Sequence, residues 1–282
     1  GGMKANYTFN IMSNLEVGYT FDQYDKSDYQ SLYKNDVRDY SNVQHNVHAL
    51  YNYTFNGKHT LTVGADYLRD YLMSYQFTDN ADHTMHTADA FGQFDWNPTE
   101  RLNVIAGLRF DYFSDSNVRH LSPHLGMMYK ISNCSLRGSY SQGFRSPTLK
   151  EMYMVFNMAN MMMIYGNPDL KSETSHNFSV SAEYTKSRYN FSITGYYNLV
   201  HNRINTVYSE DPKGQIYTNT DKMDIAGIDA NVSAKYPCGL GYRLSYTYIH
   251  EFMRDGQKKF TDTRPHTATV RIDWGKTLNK VD

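Results

Sequence analysis

The sequence predicts an all-β protein, an antiparallel transmembrane up-and-down β-barrel, because segments of about ten residues alternate between apolar and polar side chains. In residues 102–113 the even positions are apolar, and Asn103, Arg109 and Asp111 lie opposite them. A sheet between lipid and water needs one apolar and one polar face, which is what this alternation supplies. The same alternation returns in 178–184, 228–236 and 242–248.

Composition agrees with a membrane barrel. The 26 tyrosines and 14 phenylalanines are typical of aromatic girdles at two membrane interfaces. Mean hydropathy is -0.66, and the chain lacks the run of about 18 apolar residues that a transmembrane helix needs. A soluble antiparallel sandwich or barrel is the alternative. The net charge of -1 gives no basic footprint, so we expect no nucleic-acid partner.

Connections alternate between short and long, and they predict about thirteen strands. The strands fall near 4–11, 15–24, 41–55, 60–77, 86–97, 102–113, 120–130, 134–142, 173–186, 189–208, 215–235, 241–253 and 262–274. Short connections carry Asn, Gly, Pro and Ser, as hairpin turns do. Long connections include 25–40, 78–85 and, longest of all, 143–172. We therefore expect every short turn at the periplasmic end and every long connection at the other end.

The alternation also assigns faces. We expect the lipid-facing set to be Val104, Leu108, Val180, Ala230, Val232 and Leu244. We expect the lumenal set to be Arg109, Glu183, Asn231 and Arg243. The odd strand count predicts that 1–282 is a single β-barrel region of a larger barrel, since bacterial single-chain barrels have even counts.

Two boxes flank the longest connection, SYSQGFRSPTLKE at 139–151 and GNPDLKSETS at 166–175. Together they resemble the barrel signature of TonB-dependent outer-membrane receptors. The segment 223–229 and the Arg-Pro-His at 264–266 match later parts of that signature in the same order. The box residues are Phe144, Arg145, Pro147, Asn167, Pro168, Asp169 and Leu170. A purely structural role for them is the simpler interpretation, with an Arg145–Glu151 ion pair anchoring the base of the connection.

The resemblance implies a barrel of about 22 strands around an N-terminal plug. This chain would then lack the plug and about nine strands, including the last ones. It implies active nutrient uptake through the outer membrane of a Gram-negative bacterium, and no enzymatic activity. The expected partners are outer-membrane lipid and a TonB-type energy-transducing protein, which acts through the absent N-terminal region. A surface lipoprotein is an optional further partner.

The boxes are closest to the haem-receptor branch of that family, although no histidine lies between them. The connection carries Met161, Met162, Met163 and Tyr165 instead, and both thioether sulfur and tyrosine can ligate haem iron. Haem is thus expected as a transported ligand, with no intrinsic cofactor. The simpler interpretation of the methionines is that they pack over the barrel mouth or contact a partner protein. Cobalamin uptake, a passive porin and a surface-binding barrel are the alternative functions.

His83 and His86 form a second candidate pair at a predicted extracellular tip. Their spacing of three residues suggests a shared metal or a flanked porphyrin, and two solvated side chains are the alternative. Because no third ligand is identifiable, we predict no metal site.

Overall fold

The computed structural model describes residues 1–77, 82–114, 117–158, 162–220, 223–252 and 264–275. Thirteen antiparallel strands form the main sheet, each hydrogen-bonded to the next along the chain. Among the described residues, no helix is long and apolar enough to cross a membrane. The strands are β1 (Gly2–Asn10), β2 (Ser13–Gln30), β3 (Asn35–Phe55), β4 (His59–Ser74), β5 (Asp82–Trp96), β6 (Leu102–Phe113), β7 (Val118–Ile131), β8 (Cys134–Arg145), β11 (Glu173–Lys186), β12 (Tyr189–His201), β15 (Met223–Lys235), β16 (Leu240–Phe252) and β17 (His266–Trp274).

A second, four-stranded sheet is built from two long connections. The connection between β8 and β11 contains the short helix α1 (Leu149–Tyr153) and the strands β9 (Val155–Met158) and β10 (Met162–Tyr165). The connection between β12 and β15 contains β13 (Arg203–Glu210) and β14 (Lys213–Thr220). The strand order is β13-β14-β10-β9, and β10 pairs with β14 in parallel. We call this smaller sheet the cap sheet.

The predicted topology of the turns is confirmed. The tight turns at Asn56-Gly57, Asn97-Pro98, Ser132-Asn133 and Ser187-Arg188 each join an antiparallel pair at the same end of the main sheet. The described residues of the 143–172 connection lie at the opposite end. Asn56, Ser132 and Ser187 adopt positive φ angles of 49°, 52° and 54°, which Asn and Ser tolerate in tight turns.

The predicted faces are also confirmed. Following the cross-strand pairs from β6 to β16 places all six predicted lipid-facing residues on one face and all four predicted lumenal residues on the other. Val180, on the apolar face, is 70% exposed. On the polar face Arg109 bridges Asp89 and Asp111, at 2.9 and 2.8 Å. One face of the main sheet therefore carries exposed apolar side chains and the other carries paired charges, as the wall of a membrane barrel does.

Several predicted boundaries are wrong at the long-connection end. The predicted loop 25–40 is mostly a hairpin, because β2 reaches Gln30 and β3 starts at Asn35. These extensions carry polar residues on both faces, so alternation gives no signal there. The predicted strands 189–208 and 215–235 each divide in two, because β13 and β14 leave the main sheet for the cap sheet. The longest connection is not a plain loop either, since it holds α1, β9 and β10.

The main buried cluster lies at the long-connection end and not behind the main sheet. Leu72 and Phe77 from the β4 side pack with Leu149, Met152 and Met154 from the connection after β8. Phe77 also forms a backbone bridge with Met154. This cluster fixes the cap sheet to the main sheet.

Candidate functional site

The first box anchors α1 to the end of β8. Arg145 Nη1 donates to both carboxylate oxygens of Glu151, at 2.9 and 3.0 Å. Glu151 also accepts from the backbone N–H and the hydroxyl of Thr148, whose hydroxyl accepts in turn from the Glu151 N–H. This is a capping box, which satisfies donors at the start of a helix. The predicted Arg145–Glu151 ion pair is therefore present and holds the base of the connection.

The remaining residues of the first box pack inside this joint. Pro147 is fully buried. The Phe144 ring stacks on His120, with 4.2 Å between ring centroids. Arg145 also lies 3.5 Å from a carboxylate oxygen of Glu173, which accepts from the Ile204 N–H. One guanidinium thus links β8, α1 and the start of β11, and through Glu173 it reaches the cap sheet.

The second box joins the two long connections to each other. The Asn167 side chain donates to the backbone oxygen of Tyr217 in β14 at 3.0 Å, and its backbone N–H donates to the Glu151 carbonyl at 2.9 Å. Asp169 N–H donates to the Asn167 side-chain oxygen. Leu170 is buried, whereas Pro168 and Asp169 are exposed. Burial, and then the nearby Glu151 carboxylate, raises the pKa of Tyr217.

A close backbone approach sits beside this box. A Cβ atom added at Gly166 would lie 2.7 Å from the carbonyl oxygen of Met152, so that any larger residue would separate α1 from the start of the second box. The glycine of the box is therefore explained by packing of main chain on main chain. Both boxes therefore hold the long connections to the main sheet and to each other.

The methionine-rich segment is a hairpin with two different faces. Met162 is opposite Met158, and Tyr165 is opposite Val155. Side chains alternate along β10, so Met163 and Tyr165 share one face and Met162 shares the other with buried Ile164. Met161 lies outside the described residues. Two other methionines of the connection, Met152 and Met154, are only 3% and 5% exposed and belong to the buried cluster.

The interpretation of His83 and His86 as a shared site is wrong. Both lie within β5, where a spacing of three residues puts side chains on opposite faces. The His83 ring stacks on Tyr153 with 3.9 Å between centroids. The His86 Nδ1 instead hydrogen-bonds the hydroxyl of Tyr67 on the apolar face, at 2.7 Å. One ligand cannot reach both rings. No cluster of three or more His, Cys, Asp or Glu in the described part of the chain could hold a metal ion.

The sequence predicts the Arg145–Glu151 pair but not the cap sheet or its links to Asn167 and Glu173. Pairing between β10 and β14 depends on residues far apart in the chain, and no local pattern announces it. The sequence does carry one signal for the start of α1. Thr148 is followed three residues later by Glu151, which is the sequence signature of a capping box. It would have placed α1 inside the longest connection.

Two curated relatives carry informative names. The iron-regulated outer membrane virulence protein of Vibrio cholerae is 26% identical over 244 residues, which cover 78% of this chain and 37% of that protein. The vitamin B12 transporter BtuB of Photobacterium profundum is 30% identical over 130 residues, which cover 44% of this chain and 20% of that protein. The match thus spans well under half the length of either relative.

Solved structures show the same fold. A variant of the ferric enterobactin receptor of Pseudomonas aeruginosa, in complex with enterobactin, superposes with a TM-score of 0.72 at 16% identity. The match covers 98% of this chain and 47% of the receptor. The family model for the TonB dependent receptor-like β-barrel matches residues 2–281. With the register, the two boxes and this match in agreement, the chain belongs to the TonB-dependent receptor β-barrel family and lies in the outer membrane of a Gram-negative bacterium.

Proposed function

We propose that the intact protein takes up an iron complex across the outer membrane, with energy from a TonB-type partner. The observation that supports this most is the cap sheet, which joins two long connections at the extracellular end and is anchored by the family boxes. A passive porin would instead carry a charged constriction loop folded into the lumen. The longest connection here packs on other extracellular segments, at Phe77 and along β14.

Two kinds of iron complex are candidates for the cargo. Among the predicted haem contacts, Met163 and Tyr165 share a face of β10 and are half-buried, so they are the pair able to act together. Their alignment supports haem as one candidate cargo. Met162 lies on the other face of β10 and Met161 lies outside the described residues, so Met163 and Tyr165 are the residues that support haem. A ferric siderophore is the other candidate, because the named relatives include an iron-regulated protein and a ferric enterobactin receptor.

Growth of a deletion strain on single iron sources tests the proposal. The strain lacking the full-length gene should lose growth on haem or on a ferric siderophore under iron limitation, and the loss should be reversed by the intact gene. An equal defect in a strain without TonB is expected. Unimpaired growth on every iron source, with loss of growth only where cobalamin is limiting, would replace iron with cobalamin, as the relation to a vitamin B12 transporter would allow.

Haem titration then separates the two iron candidates. Haem bound through methionine or tyrosine gives a characteristic absorbance change. In the intact receptor, replacing Met161, Met162, Met163 and Tyr165 with alanine should abolish that change. If the receptor binds no haem, the cargo is not haem. If the fourfold variant binds haem as well as the parent does, the hairpin is structural and the haem contacts lie elsewhere.

A further inference from the structure

Four tyrosine–histidine hydrogen bonds repeat along the lipid-facing side of the main sheet. In each pair the residues lie on neighbouring strands, and the histidine is displaced by two residues toward the extracellular end from the position opposite the tyrosine. Because the same hydrogen bond recurs on four strand pairs, we call the four pairs the tyrosine–histidine belt. The pairs join the tyrosine hydroxyl to histidine Nδ1 in Tyr19–His45 at 2.8 Å, Tyr67–His86 at 2.7 Å, Tyr140–His176 at 2.9 Å and Tyr246–His266 at 2.7 Å.

The belt lies at the outer edge of the hydrocarbon layer. His45, His86 and His176 each precede the periplasmic end of their strand by about ten residues. At about 3.3 Å per residue and a strand tilt of about 40°, ten residues rise by about 25 Å, which is the height of the apolar band of an outer-membrane barrel. The imidazoles therefore lie where lipid headgroups begin.

One part of the belt carries a permanent positive charge, at Arg69. His45, Arg69 and His86 occupy directly opposed positions on β3, β4 and β5, all on the lipid-facing side. Arg69 is exposed, and the described residues offer it no ion-pair partner. The neighbouring rows on this face carry no carboxylate in these strands. They are Gln23, Val43, Tyr71 and Thr84 on the extracellular side, and Tyr19, Val47, Tyr67 and Ala88 on the periplasmic side.

The donors of this patch suit a phosphate. When the tyrosine hydroxyl donates to Nδ1, the ring proton is on Nε2, which leaves each imidazole with one N–H donor that the tyrosine does not use. The Arg69 guanidinium between them supplies a planar fork that fits phosphate oxygens. Directly opposed residues lie about 5 Å apart, so one phosphate can bridge from the guanidinium to a flanking ring.

We propose that His45, Arg69 and His86 bind the phosphate of an anionic lipid headgroup in the outer leaflet. The position at the headgroup level, the unpaired charge of Arg69 and the ring N–H donors beside it all favour this occupant over a protein partner. Arg119, whose guanidinium lies 5.9 Å from the centroid of the Tyr112 ring, is on the same face, two strands beyond His86 and one row nearer the periplasmic end. The site is independent of the nutrient and of the cap sheet.

Lipid retention tests the proposal in the full-length receptor. The receptor is reconstituted in phosphatidylcholine nanodiscs with and without lipid A, and bound lipid A is counted by native mass spectrometry. The variant H45Q/R69Q/H86Q should bind lipid A at least about tenfold more weakly than the parent. Two matched controls should bind as the parent does. Arg38→Gln removes an exposed arginine beyond the belt, and His176→Gln removes a belt histidine without a neighbouring arginine.

Two outcomes would overturn the proposal. In the first, the triple variant retains lipid A as well as the parent. In the second, the triple variant and Arg38→Gln lose retention to the same extent, which would show that only overall charge matters. Heat-modifiable migration on gels must show equal folding of all variants. If the triple variant fails to fold, Arg69→Gln alone carries the test, with the same expected loss and the same overturning result.

Discussion

Arg145 at the end of β8 and Glu151 in α1 are joined through both oxygens of the carboxylate, across a turn that contains buried Pro147. The same carboxylate caps α1 through Thr148. A single side chain thus closes the joint between the barrel wall and the extracellular layer. The pair is partly exposed, with the arginine side chain 41% accessible, so its contribution is modest and local.

Replacing Glu151 with alanine should loosen this joint without unfolding the barrel. Loss of the cap and the ion pair costs about 1–2 kcal/mol locally, which should speed proteolytic cleavage within 146–170 by about fivefold to thirtyfold. The matched control is Glu210→Ala, an exposed glutamate at the tip of the β13–β14 hairpin. Equal cleavage rates for the two variants would contradict the structural role assigned to the first box.

A charge on the apolar face should impair assembly. Val180 lies near the middle of the lipid-facing side of β11, where an arginine costs about 2–4 kcal/mol. Val180→Arg should therefore lower the yield of folded barrel, measured by heat-modifiable migration. Ser181→Arg places the same side chain in the lumen and should be far milder. A reversed order of the two yields would mean that the two faces are exchanged.

The parallel pairing of the cap sheet can be captured chemically. Ile164 is directly opposite Gln215, so cysteines at these two positions should form a disulfide under mild oxidation. The free Cys134 and Cys238 are first replaced with serine. Cysteines at Ile164 and Tyr208 form the control, because Tyr208 lies one strand further away, opposite Gln215. Cross-linking of the control pair with equal yield would contradict the strand order.

The two histidines should differ in their effect on cargo binding. His83→Ala removes the ring stacked on Tyr153 and should weaken binding of the cargo identified by the growth test by several-fold, because the stack supports the cap sheet from below. His86→Ala changes a side chain on the lipid-facing side and should leave that affinity unchanged. Isothermal titration of the intact receptor distinguishes them, and an effect of His86→Ala alone would place the cargo contacts elsewhere.

The sequence predicted the membrane-spanning part of the fold well, because lipid imposes one rule on every residue there. Val180 must be apolar and Ser181 need not be, and one sequence is enough to see this alternation. Beyond the headgroups both faces meet water, and the rule disappears. For that reason the sequence predicts a loop from Asp25 to Tyr40, although most of these residues extend β2 and β3.

The candidate site was less predictable, because its contacts join distant segments. The Arg145–Glu151 pair is local and could be inferred from six residues of sequence separation. The link from Asn167 to Tyr217 could not, since nothing in either segment specifies the other. The prediction for His83 and His86 is wrong because both residues lie in a strand and not in a loop. Along a strand, residues three apart point to opposite faces.

The parallel pairing of β10 and β14 also bears on the order in which the two sheets form. About 50 residues separate the two strands, and the β11–β12 hairpin lies between them in the chain. Contacts between distant segments form after the intervening chain has found its place, because closing the larger loop first costs more entropy. We therefore expect the β11–β12 hairpin to form before β10 pairs with β14, so that the cap sheet is completed after the strands that flank it.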